Sequence, residues 1–205
     1  GNTTTLDRVV RRQFRIAEGD PFNPREIRES AERVRALGFF GDANVEAREG
    51  STPQQVIIDV DVEERPTGAL SFGGSYSTNS GFGATISFSE RNFLGRGQQL
   101  SLGVTTGVDS SNYSFNFTEP AFLGRDVAFT FNLNYLETDN ASAEYDTAIG
   151  NFSTGFGFPV SENGRFSLRY GARFSDIKNL STSVGQIITA EAARGEVWDS
   201  FVGYR

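Results

Sequence analysis

No cysteine and no histidine occur among these 205 residues. The first absence excludes a disulfide framework and a thiolate nucleophile. The second removes the commonest general base and the commonest metal ligand. Methionine is missing too and the chain opens on Gly1, so it is expected to be less than an intact translation product, with any signal peptide outside it. Lys178 is the single lysine and sits in Ile177-Lys178-Asn179, not in a glycine-rich loop, which excludes a phosphate-gripping P-loop. A net charge of -7 without a basic run argues against nucleic acid as a partner. No apolar run approaches the roughly 20 residues of a membrane helix. A membrane barrel stays open, because its strands are apolar only at every second residue.

The residues that are present divide at Val62-Glu63-Glu64-Arg65-Pro66-Thr67-Gly68. Residues 1–66 hold 23 of the 45 charged residues but 4 of the 19 phenylalanines. The remainder holds 15 phenylalanines and 18 of the 23 glycines. Such a shift, marked by a proline unable to continue a central strand, is a domain boundary. We place one domain at 1–65 and a second at 66–205.

The first domain reads as two helices and two strands. Thr4 with Asp7 fits a capping box, and Leu6, Val10 and Phe14 form one helical stripe. Asn23-Pro24 opens a second helix, with Glu26 completing the cap; Ile27, Ala31, Val34 and Leu37 make its stripe and Gly38 ends it. Glu29 and Arg33 can pair at i, i+4. Val45 and Ala47 belong to a strand, Gly50-Ser51-Thr52-Pro53 to a hairpin loop, and Val56, Ile58, Val60 and Val62 to a second, half-buried strand. Two strands under two helices leave unpaired edges, so a further strand is expected before residue 1. Asp59, Asp61 and Glu63 share a face, which reads as solvated strand surface, since a calcium loop needs a sharp glycine turn. No metal site and no cofactor are expected.

The second domain reads as eight alternating strands with no helix of any length. They centre on 68–78, 82–91, 100–105, 113–118, 127–135, 147–158 and 166–174, with the eighth starting near Glu196 and running to the end of the chain. One face carries Phe, Tyr, Leu, Ile and Val; the other carries Ser, Thr, Asn, Gly and Arg. A soluble sandwich would turn the apolar face inward and a membrane barrel would turn it to lipid. Strands of about ten residues, stripes ending in Tyr76, Phe117, Tyr135 and Phe174, and Arg169 and Arg173 on the polar face favour the barrel. Glu90-Arg91-Asn92-Phe93-Leu94-Gly95-Arg96-Gly97 is echoed by Glu119-Pro120-Ala121-Phe122-Leu123-Gly124-Arg125-Asp126. Both copies join an even strand of the array to the next odd one. They are expected to be short turns at one end, each with a Phe-Leu plug and a glycine at positive φ. The opposite end carries the polar loops 78–81, 109–112, 137–146 and 176–195.

Leu37-Gly38-Phe39-Phe40, the Gly-Ser-Thr-Pro loop and Val56–Glu64 resemble the last POTRA module of the outer-membrane barrel assembly proteins, the BamA family. Arg65-Pro66-Thr67-Gly68, Phe72-Gly73-Gly74-Ser75-Tyr76 and the two echoed turns resemble that family's link, opening strand and first periplasmic turns. The resemblance implies a β-α-α-β-β POTRA fold lacking its first strand, then about eight strands of a sixteen-strand transmembrane barrel. It implies a bacterial outer-membrane location, with residues 1–65 in the periplasm. Its partners would be the lipid bilayer, unfolded barrel clients and accessory periplasmic lipoproteins.

The function implied is insertion of other barrels without covalent chemistry. A client strand needs hydrogen-bond partners before it enters lipid, and an exposed strand edge supplies them. The candidate seam is Gly68, Ala69, Leu70, Ser71, Phe72, Gly73, Gly74, Ser75 and Tyr76, where paired glycines weaken packing; Ala43–Arg48 is a second candidate edge. Glu18, beside Gly19, matches an acidic position that can pair with a partner's arginine in the family, and with Arg15 it forms the candidate docking site. A two-partner-secretion transporter, a passive porin and a soluble adhesin are the alternatives. No residues suit a catalytic site.

Overall fold

The computed structural model describes residues 1–78, 81–139, 144–161 and 164–205. They form two units: Gly1–Gly68 with Arg91–Gln98, and Ala69–Glu90 with Gln99–Arg205.

In the first unit, α1 (Asp7–Arg11) and α2 (Pro24–Ala36) precede β1 (Phe40–Glu49) and β2 (Val56–Glu64). The strands pair antiparallel, with Val45 opposite Val60 and Ala43 opposite Val62. Val9, Val10, Val34, Phe39, Phe40, Ala43 and Val62 form the core, edged by Phe14, Leu37 and Val60. The second helix follows its sequence: the Asn23 side chain accepts from the N–H groups of Arg25 and Glu26, Pro24 opens the helix, and Gly38 ends it at φ +70°. The Glu26 carboxylate lies 3.8 Å from Arg33. Glu29 lies 3.9 Å from Arg33 but only 2.8 Å from Arg25.

The first helix departs from expectation. It spans only five residues, and its N-cap residue is Leu6, with no side-chain cap. Thr4 does not cap it: the helix begins after Leu6, and the Thr4 N–H that Asp7 would accept in a capping box is donated to Glu64 instead. Leu6 is exposed and Val9, rather than Leu6, is buried.

The second unit is an eight-stranded antiparallel sheet. Its strands are β3 (Gly68–Ser77), β4 (Gly81–Phe93), β5 (Gln98–Gly107), β6 (Ser110–Glu119), β7 (Ala128–Thr138), β8 (Asp146–Pro159), β9 (Arg165–Lys178) and β10 (Val197–Tyr204). The order is β10-β9-β8-β7-β6-β5-β4-β3, so each strand pairs with its chain neighbours, and β3 and β10 are the outermost strands among the described residues. Residues 79–80 and 140–143 of the expected polar loops lie outside the described residues. The loop after β9 does contain a helix, α3 (Gln186–Ala192), where none was expected. Its Gln, Ala and Glu are good helix formers, and the glycines at 185 and 195 bound it.

Side chains alternate as the pleat requires. On one face, aromatic rings run across strands in rows: Tyr113, Tyr135, Phe174 and Trp198, then Phe115, Phe131, Phe152 and Tyr170. Consecutive rings in these rows lie 5.3–6.4 Å apart, the range in which aromatic pairs attract beyond simple burial. Many apolar side chains of this face stay exposed, among them Phe72, Phe82, Trp198 and Val202. An apolar surface that broad needs a non-aqueous neighbour. The opposite face carries an amide trough: Asn132 Nδ2 donates to Ser153 Oγ and Asn134 Nδ2 to Asn112 Oδ1. Arg169 lies 5.4 Å over the Phe201 ring.

Candidate functional site

The candidate seam is β3. All ten of its residues are exposed. Among the described residues β4 is the only strand hydrogen-bonded to it. Its packing is sparse: a Cβ at Gly73 would meet nothing within 4 Å. Tyr76 against Phe82, 4.8 Å between centroids, is its aromatic contact. The adjacent Gly73 and Gly74 leave the middle of the strand without side chains to pack. The second candidate edge is occupied along one side, because Ala43–Arg48 pairs with β2.

The root of β3 is built differently. Glu64, the last residue of β2, accepts from the N–H of Thr3 (2.9 Å), Thr4 (2.9 Å) and Thr5 (2.6 Å) and from Thr3 Oγ1 (2.8 Å). Partial burial pushes its carboxyl pKa up, but the hydrogen bonds from Thr5, Thr4 and Thr3 outweigh that and hold it well below the usual carboxylate range. The segment so shaped grips the turn between β4 and β5. Leu6 N–H donates to Gly95 O (2.8 Å) and Asn92 Nδ2 donates to Thr5 Oγ1 (2.8 Å). Gly97 N–H donates to Asn92 Oδ1 (2.8 Å). Asn92 and Thr5 are both buried. A Cβ on Gly95 would overlap the Thr4 carbonyl oxygen. Between Glu64 and β3, Arg65 N–H donates to Phe39 O, Arg65 Nε to Gly38 O, and Arg91 N–H to Thr67 O.

The profile of the Omp85 superfamily domain matches residues 92–205. The chain belongs to the Omp85 superfamily. A POTRA profile, described as a surface antigen variable number repeat, matches residues 1–65. Outer membrane protein assembly factor BamA of Neorickettsia risticii is 29% identical over 94% of this chain and 26% of its own length. The assembly factor of the same name from Nitratidesulfovibrio vulgaris is 30% identical over 92% of this chain and 24% of its own length. The chain therefore spans about a quarter of these relatives. The crystal structure of BamA from Haemophilus ducreyi lacking POTRA domains 1–3 superposes with a TM-score of 0.75 at 25% identity, covering the whole of this chain and 41% of that one. This Omp85 chain is thus a POTRA module followed by strands of an outer-membrane β-barrel.

Glu18 and Arg15 are both exposed in this POTRA module. Glu18 is not beside Arg15; its ion pair is with Arg11, at 3.3 Å. Glu18 lines a groove of about 1240 Å³ whose apolar wall includes Phe14, Ile16, Phe22, Ile58 and Val60. Asp59 pairs with Arg48. No group of three metal-ligating side chains forms among the described residues.

Glu64 and Asn92 escaped the sequence reading. A signal for the first exists. Glu64 continues the row Val56, Ile58, Val60 and Val62, so the pleat turns its carboxylate toward the half-buried side of the strand, where it must find donors. Nothing local marks Asn92.

Proposed function

We propose that this chain is part of a machine that assembles β-barrel proteins into the bacterial outer membrane, with β3 as the edge on which an incoming strand is templated. The observation that carries the reading is the Gly73-Gly74 pair of β3, which leaves that strand few side chains to pack, in a sheet whose apolar face is broadly exposed. In a bilayer each unsatisfied backbone group costs several kcal/mol, so a strand that meets β3 first enters with half its hydrogen bonds made. Glu18 and Arg15, on the exposed segment after α1, are the proposed contact for accessory periplasmic lipoproteins. The relatives' name, outer membrane protein assembly factor, agrees with this use.

The test uses the complete parent protein in liposomes and an unfolded barrel client, followed by its acquisition of protease resistance. Faster client folding than in empty liposomes, and disulfide trapping of the client at a cysteine placed at Ser71 or Ser75, are the expected results. Solute flux or export of one soluble protein without acceleration would instead identify a pore or a secretion transporter.

A further inference from the structure

We propose that Glu64 is the positioning residue for β3: it shapes Thr3–Thr5 into a cradle, and the cradle holds the turn that carries β4, the strand to which β3 is bonded. This rests on the reading of β3 as the client-accepting strand and adds what keeps the base of that strand in place.

Three successive backbone N–H groups, from Thr3, Thr4 and Thr5, converge on one carboxylate. Such a concave run of donors is shaped by the anion it holds. Once held, the segment presents three groups to the turn: the Leu6 N–H to Gly95 O, Thr5 Oγ1 to Asn92, and the Thr4 carbonyl against the bare Cα of Gly95. Asn92 then closes the turn from within, through Gly97 N–H. The first unit accordingly includes Arg91–Gln98 as well as Gly1–Gly68. The strand β3 is thereby rooted twice, covalently through residues 65–67 and through Arg91 N–H on Thr67 O. Glu64 is the cross-strand partner of Phe40 but is not itself a member of the hydrophobic core, which is made by Val9, Val34, Phe39, Phe40 and Val62 among others. Its loss should therefore release the cradle and the turn and leave the helices and the β1–β2 hairpin folded.

The experiment uses the full-length protein, with Glu64→Ala and the isosteric Glu64→Gln, and two readouts. Hydrogen exchange at residues 3–6 and 91–98 should speed by roughly tenfold or more while α2 and β1 keep their protection. Client folding in liposomes should slow in the same variants. Rescue separates positioning from general damage. With any cysteine elsewhere in the full-length protein replaced by serine, Thr5→Cys with Asn92→Cys can be bridged by a short, reductant-cleavable bis-thiosulfonate in the Glu64→Ala background. Bridging should restore the client folding rate and reduction should abolish it again. Unchanged exchange at 91–98 in Glu64→Ala, or a bridged protein as slow as the unbridged one, would overturn the proposal. If the unmodified protein does not accelerate clients, the reading of β3 fails, and the exchange measurement still decides whether Glu64 holds the turn.

Discussion

The same turn is written twice in this chain, and its two copies have opposite surroundings. The backbone is common to both through Phe-Leu-Gly-Arg. Leu94 and Leu123 have φ 53° and 55°, and Gly95 and Gly124 have φ 68° and 75°. Gly95 N–H donates to Asn92 O and Gly124 N–H to Ala121 O, each at 2.9 Å, and Arg96 and Arg125 repeat the pattern one residue on. Neither leucine plugs anything, since Leu94 and Leu123 are 65% and 83% exposed. In the second copy Phe122 packs at a tilt against Phe129 and edge-on against Phe156 of the aromatic face. Beyond the backbone the copies part. Gly95 lies against the Thr4 carbonyl, whereas a Cβ on Gly124 would meet nothing within 4 Å. Where the first copy has Asn92 and Gly97, buried and bonded, the second has Ala121 and Asp126, the latter paired with Arg165 at 3.0 Å. A turn's sequence sets its backbone; two or three flanking residues decide whether it is a free hairpin end or a docking element.

That contrast can be broken most sharply at the glycines. Gly95→Ala places a Cβ on the Thr4 carbonyl and should cost the first unit about 3 kcal/mol or more, an exceptional loss for one methyl group. Gly124→Ala meets only the left-handed backbone penalty, about 1–2 kcal/mol. Denaturant melts of the two variants, side by side, give the difference directly. Next comes the buried amide. Asn92→Ala strands a hydroxyl and an N–H and should cost about 1–3 kcal/mol. The mirror change, Ala121→Asn, should move stability by no more than about 0.5 kcal/mol.

Acid offers a smaller, graded version of the same test. The Glu64 carboxyl pKa is depressed in the folded chain, so folding favours its ionised form. The stability it contributes is complete above the unfolded value of about 4.3 and is lost as pH falls from there toward the folded value. Exchange protection of the Thr3–Thr5 amides should therefore weaken progressively below about pH 4. Glu64→Gln should remove that dependence, and the second turn should show none of it. The weakest effect belongs to Asp126→Ala. Its pair with Arg165 is half exposed or more on both sides, and such pairs are worth roughly 0–1 kcal/mol.

What was legible in the sequence was what depends on near neighbours. Alternation placed all eight strands of the sheet, because a strand's two faces are decided residue by residue. Asn23-Pro24 placed the start of α2 because a cap acts within three residues. The failures share one cause. Thr4 and Asp7 spell a local cap, but a carboxylate 60 residues away in sequence claims the Thr4 N–H first. Asn92 and its turn look like their echo until Thr5, 87 residues distant, is brought against them. The weak helix over Gln186–Ala192 was hidden among glycines and polar residues at the end of a long loop. For β3, the paired glycines and the alternating pattern were visible, and its pairing with β4 follows from the strand order, which no single stretch of sequence contains.

Two glycines inside the sheet work as keyholes. Phe174 of β9 lies over Gly150, its cross-strand partner on β8, and Phe201 of β10 lies over Gly171 of β9. A Cβ at either glycine would fall inside the ring. A slip of two residues, the smallest that keeps each face toward its own side, would set Phe174 against Ala148 or Phe152 and Phe201 against Arg169 or Arg173. The seated arrangement is the one in which each ring meets a residue without a side chain. The last two strand pairings therefore carry their own check on alignment, one on the aromatic face and one on the polar face. In a sheet beside lipid, where a misaligned backbone has no water to fall back on, such seats favour the native register at two strand pairs.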